Sequence, residues 1–142
     1  MTRRMNGSEL DFWLGSWQAR WEGGEGTNRI TREFDGKVVV ERFEGRPAME
    51  LTGFSVSVFD AEADLWRQTW VDDQGSYFAL TGGTEDDAFV LRMSAVRGGV
   101  PMELRMVFSE IEADSFRWVW ERSTDAGATW STSWQIAYTR AA

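Results

Sequence analysis

The amino-acid sequence predicts an all-β protein: roughly ten antiparallel strands that run up and down and close into a barrel. Three observations carry this reading. Apolar and aromatic residues recur at every second position through most of the chain. The runs are about eight residues long, and short turns carrying Gly, Asp or Asn separate them. No helical period stands between the runs, so there is no crossover helix and no parallel sheet. A ten-strand meander has two free edges, and closure removes both. A barrel of that size is somewhat wider than one that side chains alone just fill, so an internal cavity is expected.

The elements follow in order. Ser8 stands where a helix N-cap would, with Asp11 placed as in a capping box, and "ELDFWLG" runs into Gly15, a natural stop; a short N-terminal helix is expected there. "SWQARWEG" then puts Trp17, Ala19 and Trp21 on one face and Gln18, Arg20 and Glu22 on the other. "TNRITREF" leads through an Asp35-Gly36 turn to "KVVVERFE", where Arg42 shares a face with Val38 and Val40. "ELTGFSVSVF" aligns Phe54, Val56 and Val58, and "LWRQTWV" aligns Trp66, Gln68 and Trp70. "SYFALTGG", "DAFVLRMS", "MELRMVFSEI", "SFRWVWER" and "WSTSWQIAYTR" complete the series. In the last two, Phe116, Trp118 and Trp120 align, as do Trp130, Trp134, Ile136 and Tyr138.

Composition narrows the function classes. The 142 residues suit a single domain, 1–142, with 42% hydrophobic and 27% charged residues. No run approaches the roughly 20 apolar residues of a membrane span. The N-terminal "MTRRMNGSELDFWLG" has arginines but no apolar stretch behind them, so no secretory signal and a cytoplasmic location are expected. Cysteine and histidine are both absent. That excludes disulfides, thiol chemistry, a Ser-His-Asp triad and a His-based zinc or haem site. The net charge of −8, with no basic cluster beyond Arg3-Arg4, argues against nucleic acid and anionic membranes as partners. Nine tryptophans are the unusual count. They have two readings: they fill a wide barrel, or they line a pocket for a flat apolar ligand.

"FWLGSW" resembles the Gly-x-Trp signature at the first strand of lipocalin-like, or calycin, barrels. "WRQTWVDDQGSYFALTGG" and "WERSTDAGATWSTSWQIAYTR" are similar to a bacterial family of calycin-like domains, and the resemblance spans about Leu10 to Arg140. It implies a calycin-like barrel in which Gly15 allows a tight turn and Trp17 closes one end. It also implies which faces point inward, and a one-residue slip would invert the list for a strand. It implies no settled activity. Nitrobindins, relatives by fold, hold haem through a histidine that this chain lacks, and no cofactor is expected.

Other motifs reduce to turns. "STDAGATW", residues 123–130, has the Asp-box pattern of sialidase propeller blades, but one box is not a propeller. Turn chemistry explains it: Asp125 accepts backbone N–H bonds, Gly127 takes a positive φ, and Trp130 packs the hairpin base. "DAEAD" spaces Asp60, Glu62 and Asp64 like the start of a calcium loop, yet Leu65 and Val71 stand where that loop needs Gly and Glu. Asp72 and Asp73 are adjacent, so they point to opposite faces, and Gly75 marks a turn. "GFSVS" has no second Gly after Ser55, so it is not a nucleophile elbow.

The aromatic rows remain as the candidate ligand-binding set: Trp17, Trp21, Phe54, Trp66, Trp70, Trp118, Trp120, Trp134 and Tyr138, with Gln68 and Arg42 as the polar members that would orient a ligand. Three functions fit. One is binding of a small, largely apolar or aromatic molecule. The second is a cofactor-free enzyme of cyclase or isomerase type, with Gln68, Arg42, Glu41 and Tyr138 as candidate acids, bases or dipoles. The third is an interaction module with a filled barrel whose outer face forms a homodimer.

Overall fold

The computed structural model describes residues 4–142. Ten strands form one closed antiparallel barrel: β1 (Gly15–Trp21), β2 (Gly24–Glu33), β3 (Val38–Glu44), β4 (Thr52–Asp60), β5 (Leu65–Asp72), β6 (Tyr77–Glu85), β7 (Ala88–Arg97), β8 (Val100–Ser109), β9 (Ser115–Ser123) and β10 (Ser131–Arg140). Each strand pairs with its sequence neighbours, and β1 pairs with β10 through Trp17↔Arg140 and Ala19↔Tyr138. This is the up-and-down topology expected from the short turns, and it is consistent with a calycin-like fold. Among the described residues no helix is long and apolar enough to cross a membrane.

The expected N-terminal helix is a single 3-10 turn, Asp11–Trp13. Ser8 does not cap it with its side chain; the Ser8 hydroxyl bonds Asn6 Oδ1, and only the Ser8 carbonyl accepts from the Asp11 N–H. Three residues cannot develop an α-helical ladder, and packing fixes them instead. Phe12 and Trp13 meet Phe108 at centroid distances of 5.9 and 5.3 Å, and Phe12 meets Phe116 at 5.6 Å, all edge to face. The turn therefore plugs one end of the barrel.

Further contacts hold the plug. Trp17 Nε1 donates to the Trp13 carbonyl at 2.7 Å, and Trp66 Nε1 donates to Glu9 at 3.0 Å. Arg140 donates to the Leu14 carbonyl at 2.9 Å while its guanidinium lies 4.2 Å from the Trp17 ring centre. Gly15 permits this: it has φ +119°, and a Cβ there would stand 2.6 Å from Arg140 Nη1. Leu10, Trp13, Trp17, Trp66, Phe89, Phe108 and Phe116 are all buried in this half. Each such side chain contributes roughly 1.5–3 kcal/mol through burial. The opposite end, where the turns at 22–23, 45–51, 73–76, 98–99 and 124–130 cluster, has no such plug among the described residues.

The Asp-box segment is the β9–β10 hairpin. Asp125 accepts from the Ser123 and Thr129 hydroxyls and from the Thr129 N–H, and Gly127 takes φ +89°. The Thr129 and Ser123 hydroxyls lead the hydrogen bonds that hold the Asp125 carboxyl down at about 2. Trp130 lies outside the barrel under the Arg105 guanidinium, 3.9 Å away. A register shift between Thr132 and Trp134 separates it from the inward row it was expected to join. Asp60 in "DAEAD" accepts from the Ala63 N–H and from Arg67, as a turn residue does. Among the described residues no group of three or more acidic side chains is placed to hold a metal. Arg3 lies outside the described residues; Arg4 donates to the Ala61 carbonyl.

Candidate functional site

The interior has two unlike walls. From β8 to β10 the inward residues are apolar: Met106 and Phe108, then Phe116, Trp118 and Trp120, then Trp134, Ile136 and Tyr138. From β2 to β5 a row of polar side chains runs across the sheet: Asn28, Glu41, Ser55, Ser57 and Gln68, all 8% exposed or less.

The polar row is joined by hydrogen bonds. Ser55 Oγ donates to Glu41 Oε1 at 2.7 Å, and Asn28 Nδ2 donates to Glu41 Oε2 at 2.8 Å. The same Asn28 nitrogen lies 3.4 Å from the Tyr138 hydroxyl oxygen. Gln68 Nε2 donates to Ser57 Oγ at 2.9 Å. Asn28 Oδ1 and Gln68 Oε1 are buried acceptors without a partner. Burial pushes the Glu41 carboxyl above its ordinary value near 4.5, against the downward pull of the Asn28 and Ser55 hydrogen bonds. Burial, and then the charge of Glu41, push the Tyr138 phenol well above its ordinary range, so it stays neutral.

A cavity of about 170 Å³ lies between the walls, toward the unplugged end. Glu41, Tyr138, Ile136 and Phe108 line its inner part; Trp70, Trp118, Trp120 and Trp134 line its sides, with Phe43, Phe78 and Leu51. The rings brace one another: Trp118 and Trp134 meet edge to face at 5.5 Å, Phe43 and Trp134 at 5.8 Å, and Phe78 stacks on Trp120 at 5.4 Å. At the mouth, Asp72 accepts from Trp70 Nε1 at 2.8 Å and from the Gln74 and Ser76 N–H groups. Burial raises the Asp72 carboxyl, but these bonds outweigh it and hold the group below its ordinary value.

The candidate residues read from the sequence divide into three groups. Trp70, Trp118, Trp120, Trp134 and Tyr138 line the cavity. Trp17 and Trp66 pack the plugged half, Trp21 leans on Phe43 and Trp134, and Gln68 sits in the polar row. Arg42 and Phe54 do not reach the interior. They pair across β3 and β4 on the outer surface, with the guanidinium 5.2 Å from the Phe54 ring centre.

The outward placement of Phe54 and Arg42 follows from what the inner faces of β4 and β3 hold. Gly53, Ser55 and Ser57 take the inner face of β4, so Phe54, Val56 and Val58 point out. Only glycine fits at position 53, because a Cβ there would stand 2.0 Å from the Trp70 ring. On β3 the inner face is Val39, Glu41 and Phe43, so Val38, Val40 and Arg42 take the outer face, where Val40 is nonetheless covered. Asn28, Ser55 and Phe43 were absent from the sequence-derived set. The signal for Ser55 is weak, serines at alternate positions on β4 opposite a glutamate on β3, and nothing local marks Asn28 or Phe43.

No family model matches the chain, and a search of curated proteins finds no match.

Proposed function

We propose that the protein binds a small, largely apolar or aromatic molecule in the barrel cavity, with one polar group of that molecule directed at Glu41 and Tyr138. The single observation that carries this reading is the cavity itself. Tryptophan rings surround it and a buried carboxyl sits at its inner end, a combination that stability alone does not call for. Its volume of about 170 Å³ is on the scale that accepts one aromatic ring in an apolar interior. A titration of intrinsic fluorescence with small ring compounds tests the reading. A saturable change, abolished in a folded Trp70→Ala variant, is the expected result. A flat response across the panel would mean that the rings only pack the barrel.

A second reading, cofactor-free proton transfer of isomerase or cyclase type, is favoured by one specific feature. Glu41 and Tyr138 both line the cavity and both reach the same Asn28 nitrogen. Glu41 would remove a proton from a carbon acid while the Tyr138 O–H steadies the developing oxyanion. Solvent-deuterium exchange into an enolisable cyclic ketone, followed by NMR and lost in Glu41→Gln, is the expected signature. Exchange no faster than in buffer would rule it out.

A further inference from the structure

We infer that the cavity selects a small organic cation: a primary amine on a single-ring or short aliphatic body, whose ammonium meets Glu41 and whose apolar part packs among Trp70, Trp118 and Trp134. The inference rests on the binding reading above and specifies its ligand class.

Three independent observations lead to it. The first is charge. Glu41 and Asp72 both line the cavity, and no lysine or arginine does. Only neutral donors, Ser55 and Asn28, face the Glu41 carboxylate. A buried charge without a counter-charge is costly and is normally paired. An ammonium arriving from solvent supplies that pair.

The second is hydrogen-bond polarity. The Asn28 amide has its nitrogen fixed toward two oxygens, those of Glu41 and Tyr138, which leaves Oδ1 as an unpartnered acceptor on a residue only 2% exposed. Gln68 Oε1 is a second unpartnered acceptor on the same wall. Neither residue lines the cavity, where the unpartnered buried atom is a donor, Trp134 Nε1, so an ammonium with three donors and no acceptor suits the Glu41 end of the wall, beside Asn28, and not Trp134.

The third is the aromatic lining. Indole faces attract cations through their quadrupole, and they do so most strongly where water is excluded. Phe78, one ring of the lining, already takes a cation on its face: the Arg97 guanidinium, itself not part of the lining, lies 5.8 Å from the ring centre. Along the sides of the cavity the rings are tryptophans, and Glu41 stands at the inner end with Tyr138 and Phe108. The size of the cavity limits the ligand to about one ring with a short arm.

Calorimetric titration of the full chain with benzylamine and with benzyl alcohol at pH 7.5 separates the outcomes. The two compounds match in size and differ in charge. The inference expects benzylamine to bind at least about tenfold more tightly than the alcohol. It also expects Glu41→Gln, shown folded by circular dichroism, to bind the two within about threefold of each other, and Asp72→Asn to narrow the gap by less. Equal binding of both compounds to the wild type would overturn the inference while leaving the binding reading intact. Binding of neither compound would overturn both. An unchanged amine preference in the Glu41→Gln variant would also overturn it, since the charge responsible would lie elsewhere. Should Glu41→Gln fail to fold, the wild-type comparison of the two compounds decides alone.

Discussion

The aromatic wall of β8–β10 and the polar wall of β2–β5 face each other across one barrel and are stabilised by opposite means. The first buries large rings that touch edge to face and need few partners. The second buries a carboxyl, two hydroxyls and two amides, and depends on each meeting another. A protein built only for stability would have apolar residues on both. The polar wall is where function is to be sought, because burying polar groups costs free energy that apolar packing does not.

The largest effect is expected on the aromatic side. Phe116 is 3% exposed, stacks on Tyr138 at 4.7 Å and meets the edge of Trp17 at 4.7 Å. Phe116→Ala should cost about 3–5 kcal/mol, measured by urea denaturation. A cost under about 1 kcal/mol would mean that this wall is not the stabilising one.

The polar wall should break differently. Gly53→Ala sets a methyl against the Trp70 ring and should cost about 1–3 kcal/mol. It should also displace Trp70 into the cavity or toward solvent, seen as a shift in tryptophan emission. An emission spectrum unchanged from wild type would show that Trp70 does not lie over β4.

A third change separates the walls by sign. The Glu41 carboxyl is raised above its ordinary value by burial, so the folded state holds its proton more tightly than the unfolded chain does. Stability therefore falls as pH rises from the ordinary carboxyl range through the folded-state value of Glu41, and stays lower above it. Glu41→Gln removes this penalty and should stabilise the protein at neutral pH by about 0.5–2 kcal/mol. The gain should shrink as the pH is lowered toward 4.5, which thermal melts at several pH values would follow. Destabilisation at every pH would mean that Glu41 is net favourable where it stands.

The smallest effect lies outside both walls. Asp125 is exposed and its carboxyl is held down at about 2, first by the Thr129 and Ser123 hydroxyls. Its contribution to the hairpin is present above the ordinary Asp range and is lost as pH falls through about 2. Asp125→Ala should speed hydrogen exchange at the Thr129 amide, which donates to Asp125, and leave the plugged end of the barrel unchanged.

The two walls were also unequally legible in the sequence. Trp17 with Trp21, Trp66 with Trp70, and Phe116 with Trp118 and Trp120 alternate with polar or smaller residues, so period and burial agree and the inner face is plain. The β4 row of Phe54, Val56 and Val58 alternates just as cleanly, yet it points outward. Alternation tells which side chains share a face and not which face is inside. That is decided by cross-strand partners such as Glu41↔Ser55 and by Trp70 needing the space over Gly53, neither of which is a local property of the chain. On β3 the run Val38-Val39-Val40 has no alternation and does not separate Glu41 from Arg42; the ligand-binding set read from the sequence includes Arg42, whereas Glu41 lines the cavity. The 3-10 turn differs from the expected helix for a related reason: Ser8 and Asp11 form no side-chain cap, and the three residues are held by Phe108 and Phe116 and not by a helical ladder.

The central claim is that Glu41 stands at the inner end of a cavity that takes a ligand. Carbon-13 NMR of the glutamate side-chain carboxyls, across a pH titration and then with a ring compound added, tests it most directly. One carboxyl, absent from the Glu41→Gln spectrum, should titrate above the ordinary value near 4.5 and should shift when the ligand saturates. If every glutamate titrates in the ordinary range and none responds to any compound of the panel, Glu41 is not buried beside a binding cavity and the account fails.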